Sequence, residues 1–219
     1  MSHTEVFIIR HGQANSAAKT EKDYDQLSDL GWQQARWLGA YFANLGLPFD
    51  GFATGNLRRH KETMSGINLA QDWTVDPRLN ELRYIDMANA LLDRRGIPLP
   101  TGHEEFPAHF PKVMAAWEDG IFDDLHTPYV RFQSDALAAI ADMAKGRERV
   151  MLVSSGGIIE TILASLFGHK MSNTPNCLGH VLNTSVHVFN QGESDLRIKS
   201  YHTTPHLDAP DRHHARTHV

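Results

Sequence analysis

The sequence predicts an α/β protein, a three-layer α/β/α sandwich around a mainly parallel central sheet. Three observations lead to that class. The run Val6–Ile9 is continuously apolar and rich in β-branched residues, the signature of a strand covered on both faces. A second run, Val150–Ser154, also reads as a strand, and each of the two ends at a glycine-containing polar segment. Stretches with apolar residues at helical spacing lie between the strands, and that alternation implies a parallel sheet with helices on both faces.

The elements follow in order. Residues 14–26 are polar and read as a loop. Ser28 is a plausible N-cap, after which Leu30, Trp37, Leu38, Tyr41 and Leu45 share one helical face, with Gly46 as the stop. Phe49–Ala53 reads as a short strand, and Thr54-Gly55-Asn56 turns into a helix carrying Leu57, Met64 and Ile67. Prolines at 77, 98, 100, 107 and 111 interrupt residues 72–111, so about 72–126 is expected as a cap-like insertion over the strand ends, with short helical pieces. Phe132, Ala136, Ala139, Ile140 and Met143 mark an amphipathic helix. Val150–Ser154 then leads through Ser155-Gly156-Gly157 into a helix ending before Gly168, and Val186–Phe189 and Leu196–Ser200 are late strands.

At 219 residues and 24.6 kDa, the chain suits a single domain over 1–219 with this insertion and a His-rich tail at about 205–219. The net charge of −5 offers no general attraction to nucleic acid or anionic membranes, so an anionic ligand needs a local group of cations. A lone Cys177 excludes an internal disulfide framework and a Cys-rich zinc site, and it is expected as a buried small hydrophobe. No stretch approaches the roughly 18 apolar residues of a membrane span, and VFII is too short for a signal segment, so the expected location is cytoplasmic.

In doubly wound sheets, ligands sit outside the C-terminal ends of the strands. Arg10-His11-Gly12-Gln13 and Ser155-Gly156-Gly157 both fall there. A guanidinium can clamp two phosphoryl oxygens at once, and a neutral imidazole beside it is a competent nucleophile near pH 7. Gly12 allows close backbone approach to an oxyanion. Taken alone, an Arg-His pair at a strand end can equally be ordinary surface. A second segment, Leu57-Arg58-Arg59-His60-Lys61-Glu62-Thr63, places cations in the first turn of a helix, where the macrodipole disfavours them unless an anion binds. Arg58 and Lys61 read as a solvated basic face.

These segments are similar to motifs of the histidine phosphatase superfamily, the phosphoglycerate mutase-like proteins. The resemblance runs through strand VFII, Arg10-His11-Gly12-Gln13, then Leu27-Ser28-Asp29-Leu30-Gly31-Trp32-Gln33-Gln34-Ala35 (the family's L-S-x-x-G-x-x-Q-A), Leu57–Thr63 (similar to L-x-R-A-x-x-T) and Leu79-Asn80-Glu81. It implies a phosphoglycerate mutase-like fold and a nucleophile at His11 that becomes phosphorylated. Arg10 and Arg59 would hold the phosphoryl oxygens. Glu81 would be the proton donor, its alternative being a solvated carboxylate in a proline-bounded loop. Gln13 would bind substrate or brace its loop, and Ser155 and Gly156 would contribute to phosphate binding.

One departure stands out. Where the family pattern is V-S-H-G-G, this chain has Val153-Ser154-Ser155-Gly156-Gly157, a hydroxyl in place of a second histidine. Loss of one such donor is worth on the order of 2–4 kcal/mol of transition-state stabilisation. Three explanations stay open: the serine, the glycine amides and the helix N-terminus suffice as an anion nest; His60, His103 or His180 fills in; or the chain binds phosphate esters without turnover. Ser155 lacks the G-x-S-x-G context of a hydrolase nucleophile. His103-Glu104-Glu105 lacks the second histidine of H-E-x-x-H, and no Walker A motif is present, so no metal or other cofactor is expected. His202, His206, His213, His214 and His218 read as belonging to a mobile polar tail rather than a metal site, although Thr204-Pro205-His206-Leu207 resembles the family's terminal segment near the pocket.

The expected function is therefore phosphate-monoester hydrolysis through a phosphohistidine on His11. Mutase-type phosphoryl transfer and a non-catalytic phosphate-ester-binding regulatory protein are the alternatives. The expected partner is a phosphorylated small molecule, with a phosphoprotein second; a homodimer is allowed, and neither nucleic acid nor a membrane is expected.

Overall fold

The computed structural model describes residues 3–15, 21–102, 104–173 and 181–218. His103, Cys177 and His180 lie outside the described residues. Six strands form one sheet, β1 (Thr4–Arg10), β2 (Gly51–Thr54), β3 (Thr74–Val75), β4 (Arg149–Ser154), β5 (Val186–Gln191) and β6 (Leu196–Thr203), in the order β3-β2-β4-β1-β5-β6. The β3-β2, β2-β4 and β4-β1 pairs are parallel, whereas β5 and β6 add an antiparallel edge. The sheet is mixed and mostly parallel, as the alternating pattern requires.

Alternation along the central strands sorts side chains into two layers. Val6 and Ile8 of β1, with Val150 and Leu152 of β4, pack on α6 (Tyr129–Ala144) and α7 (Gly156–Phe167). Phe7 and Ile9, with Met151 and Val153, pack on α2 (Asp29–Leu45) and α3 (Arg58–Ile67). A further apolar cluster joins α4 (Tyr84–Arg95) and α5 (Phe106–Glu118) around Met87, Leu91, Phe110, Val113, Met114 and Trp117. The prolines in this stretch interrupt it less than expected. Pro107 sits in the first turn of α5, where its missing N–H is not needed, and Pro111 is carried inside the helix.

Three other expectations change. The loop at 14–26 has its base closed by an Ala14–Leu27 bridge and contains α1 (Glu21–Tyr24). In α2 the Ser28 cap is as expected, with Gly31 N–H donating to its hydroxyl, and Gly46 ends the helix at φ 62°. The buried face, however, runs through Gly31, Gln34, Ala35, Leu38, Gly39 and Phe42, while Leu45 is 50% exposed. The glycines turn this face inward because it must approach backbone: a Cβ on Gly39 would stand 2.0 Å from the Ile67 carbonyl oxygen. The C-terminal segment is packed rather than mobile. Its 3-10 turns, Pro205–Leu207 and Pro210–Ala215, bury His206, Leu207 and Ala215, and Gln34 Nε2 donates to the Ala215 carbonyl at 2.7 Å. Among the described residues, no helix is long and apolar enough to cross a membrane.

Candidate active site

Parallel pairing of β1 and β4 sets Arg10 opposite Ser154, and His11 N–H donates to the Ser154 carbonyl at 2.9 Å. The two glycine-containing segments that follow these strands are therefore neighbours at one end of the sheet. His11 is 2% exposed. Its Nδ1 lies 2.7 Å from the Gly12 carbonyl oxygen, which can only accept, so Nδ1 carries the proton and Nε2 keeps the lone pair. Burial, then the charges of Arg59 and Arg10, hold His11 well below the ordinary imidazole pKa. The result is a neutral imidazole held in one orientation.

The loop holding His11 is bound on several sides. Gly12 N–H donates to Thr63 Oγ1, which itself donates to the Arg59 carbonyl. Gln13 N–H donates to the buried Gln34 Oε1, and the Gln13 side-chain oxygen accepts from the Ser28 hydroxyl. These two bonds tie Gln13 to its own loop and to α2. Thr184, at a left-handed φ of 56° unusual for a β-branched residue, donates its N–H to the Arg10 and His11 carbonyls. Asn183 Nδ2 reaches the His11 carbonyl at 3.2 Å, and its own N–H donates to Thr217.

Both arginines are directed by neighbours and both keep a buried Nε without a hydrogen-bond partner among the described residues. Arg10 donates through Nη1 to the Val181 carbonyl and through Nη2 to the His218 carbonyl. Arg59 is 5% exposed and donates through Nη1 to Asp25 Oδ1 at 3.1 Å. The same carboxylate accepts from the backbone N–H groups of Arg58 and Arg59, so it caps α3. The anion expected at this basic helix start is thus supplied by the chain itself. Arg58, exposed and paired with Glu62, and Lys61, donating to Asn56, lie on the solvated side as expected.

Glu81 follows the 3-10 turn Pro77–Leu79, which Ser154 Oγ fastens to β4 by donating to the Leu79 carbonyl at 2.7 Å. Its carboxylate accepts from Leu82 N–H at 2.9 Å and, at the 3.5 Å limit, from Gly157 N–H. A Cβ on Gly157 would come within 2.2 Å of Glu81 Oε1, so only glycine lets the carboxyl lie against the start of α7. Burial raises the Glu81 pKa against the opposing pull of Arg59 and Arg10. Ser155 is fully buried at the N-cap of α7, and its Oγ lies 2.6 Å from Nε2 of the fully buried His60. The His60 ring stands 5.8 Å from that of His11. Gly156 lies beside Arg10, its missing Cβ 3.7 Å from Arg10 Nε.

The structure therefore gathers Arg10, His11, Arg59, Glu81, Ser155 and Gly156 at the ends of β1 and β4, with His60 bonded to Ser155. It also supplies residues with no local sequence signal: Asp25, Asn183 and Thr184. Thr63 stood in a quoted motif without a role. Among the described residues, no group of three or more His, Cys, Asp or Glu is placed to hold a metal ion.

Comparison with known proteins places this architecture. The family described as the histidine phosphatase superfamily (branch 1) matches residues 6–204. Over 97 residues the chain is 31% identical to the mitochondrial serine/threonine-protein phosphatase Pgam5 of Drosophila grimshawi, a match spanning 43% of this chain and 29% of that protein. The chain thus matches under a third of that relative's length. A phosphoserine phosphatase mutant from Entamoeba histolytica, solved with phosphoserine, is 18% identical, with 93% of this chain and 99% of that one covered at a TM-score of 0.66. The phosphoglycerate mutase of Bacillus anthracis is 17% identical, with 94% and 95% covered and a TM-score of 0.67.

Proposed function

From the premise that this chain belongs to branch 1 of the histidine phosphatase superfamily, we propose that it hydrolyses phosphate monoesters through a phosphohistidine on His11. The observation that carries this reading is the His11 tautomer. Nδ1 is tied to Gly12, which leaves the Nε2 lone pair free beside two guanidinium groups, each with a buried N–H that has no partner among the described residues.

In the first step Nε2 attacks phosphorus in line, the P–O ester bond breaks, and Glu81 gives its proton to the leaving oxygen. The raised Glu81 pKa suits a donor that must start protonated. In the second step water attacks phosphorus, Glu81 takes a proton from it, and the P–N bond breaks to regenerate His11. Arg10 and Arg59 stabilise the charge on the phosphoryl oxygens throughout. Neither step calls on a cofactor. The substrate class is a phosphorylated small molecule, supported by the phosphoserine bound in a protein of the same fold; a phosphoprotein is the second class, supported by the partial match to Pgam5.

The test is phosphate release from a panel of monoesters including phosphoserine. His11→Ala should lower release by at least about 10³-fold, the scale of losing a covalent nucleophile. An acid-labile, alkali-stable phosphoryl group should be trapped on the wild type and not on the variant. Binding of phosphate without release by the wild type would select the regulatory reading instead.

A further inference from the structure

We infer that His60 and Ser155 act as one unit, in which His60 Nε2–H holds the Ser155 hydroxyl so that its proton is delivered to a phosphoryl oxygen above His11. This rests on the phosphatase reading of His11 given above. Ser155 would be the catalytic donor and His60 its positioning residue.

The argument starts from what Ser155 does not do. At an N-cap with extended backbone, a serine hydroxyl ordinarily accepts from the first turn of its own helix. Ser155 has that backbone, φ −121° and ψ 168°, yet makes no side-chain cap bond. Its Oγ is 2.6 Å from His60 Nε2 instead, with both residues wholly buried.

Which atom donates follows from the other ring nitrogen. His60 Nδ1 is buried and has no partner among the described residues, and it faces backbone, since a Cβ on Gly55 would lie 2.3 Å from it. A bare lone pair is better tolerated there than an orphaned N–H. The proton therefore sits on Nε2 and is donated to Oγ, which leaves the serine O–H free. Burial beside Arg59 and Lys61 keeps His60 neutral, with a pKa well below the ordinary imidazole value. The His60 ring that meets Ser155 stands 5.8 Å from the ring of His11, and Ser155 follows the strand paired in parallel with β1, so the hydroxyl lies on the His11 side of the sheet end.

The two positions also depart from the family pattern together. The motifs that this chain resembles have alanine at the place of His60 and histidine at the place of Ser155. In this chain the imidazole stands in the first turn of α3 and the hydroxyl at the end of β4, bonded to each other. A histidine at 155 in the present background would meet the ring already there.

The experiment uses the full chain and p-nitrophenyl phosphate, with His11→Ala as the control for the parent reading. Ser155→Ala and His60→Ala should each lower kcat by about 10- to 100-fold with KM nearly unchanged, and the double alanine variant should be no worse than the poorer single. Ser155→His alone should lose as much or more through overfilling. Ser155→His combined with His60→Ala should recover to within about tenfold of wild type, a rescue that a merely structural role for His60 does not produce. Additive losses in the double alanine variant, no rescue in the exchanged pair, or an acid-stable phosphoryl ester trapped on Ser155 would each overturn the inference. Phosphate release that survives His11→Ala would instead remove the parent reading, whatever the exchange shows.

Discussion

His11 can attack phosphorus only while neutral, and Glu81 can protonate a leaving group only while it holds a proton. The two requirements set opposite limbs of a pH profile. Burial and two arginines depress the His11 pKa from 6.5, so the acid limb should fall below the ordinary imidazole range. Burial raises Glu81 from 4.5, so the alkaline limb should lie above the ordinary carboxylate range. Glu81→Gln should erase that alkaline limb in kcat/KM. It should slow alkyl esters by about 10²- to 10⁴-fold and activated aryl esters far less. Equal losses for both classes would remove Glu81 as the acid. The identities of these two residues were legible because each sits in a short motif. Their state was not, since it is set by burial, which depresses the His11 pKa with the help of Arg59 and Arg10 and raises that of Glu81 against their pull.

At the scale of elements, the site is assembled from helix and strand ends that lack ordinary caps. The α3 start has no side-chain cap of its own and takes Asp25 from the loop before α2. The α7 start leaves its serine hydroxyl to His60. The C-terminal turns complete the back of the site, because Thr217 accepts from Asn183 N–H, Asn183 holds the His11 carbonyl, and His218 accepts from Arg10. Removing residues 209–219 should strand the buried amide of Gln34 and release Asn183 and Arg10. The lost bonds amount to several kcal/mol. Thermal unfolding should shift down by roughly 5–15 °C at that scale, with a fall in kcat for the remaining folded protein. An unchanged midpoint would mean that this segment adds nothing to the fold. Its histidines had suggested a polar tail; His213, His214 and His218 are indeed exposed, but the segment docks because His206, Leu207 and Ala215 are buried and its backbone has partners far back in the chain.

At the scale of the molecule, four histidines among the described residues are buried to 2% exposure or less, His11, His60, His187 and His206, and all have depressed pKa values, that of His206 about 3. Above pH 6.5 they are neutral folded or unfolded, so stability should be level there. Below 6.5 the unfolded chain binds protons that the folded one refuses, and stability falls, by about 1.4 kcal/mol per pH unit for each histidine, until the folded-state pKa is reached. Urea midpoints measured from pH 8 to 5 should show this slope. His187→Gln, outside the proposed chemistry, should shallow it by about one proton. A flat profile through pH 5 would show that these rings do not control acid stability.

What the sequence determined by itself is local or periodic: the apolar run of β1, the Ser28 cap, the glycine stop at Gly46 and the place of His11 at a strand end. Each depends on residues within a few positions, so the physics that sets it is written nearby. The mixed sheet order, the inward face of α2, the cap from Asp25, the His60–Ser155 pair and the docked C-terminus were decided only in three dimensions. Their contacts join residues 34, 95 and 181 positions apart, through Asp25–Arg59, His60–Ser155 and Gln34–Ala215. Chain length says nothing about which such pairs will meet; packing two layers of helices on one sheet does.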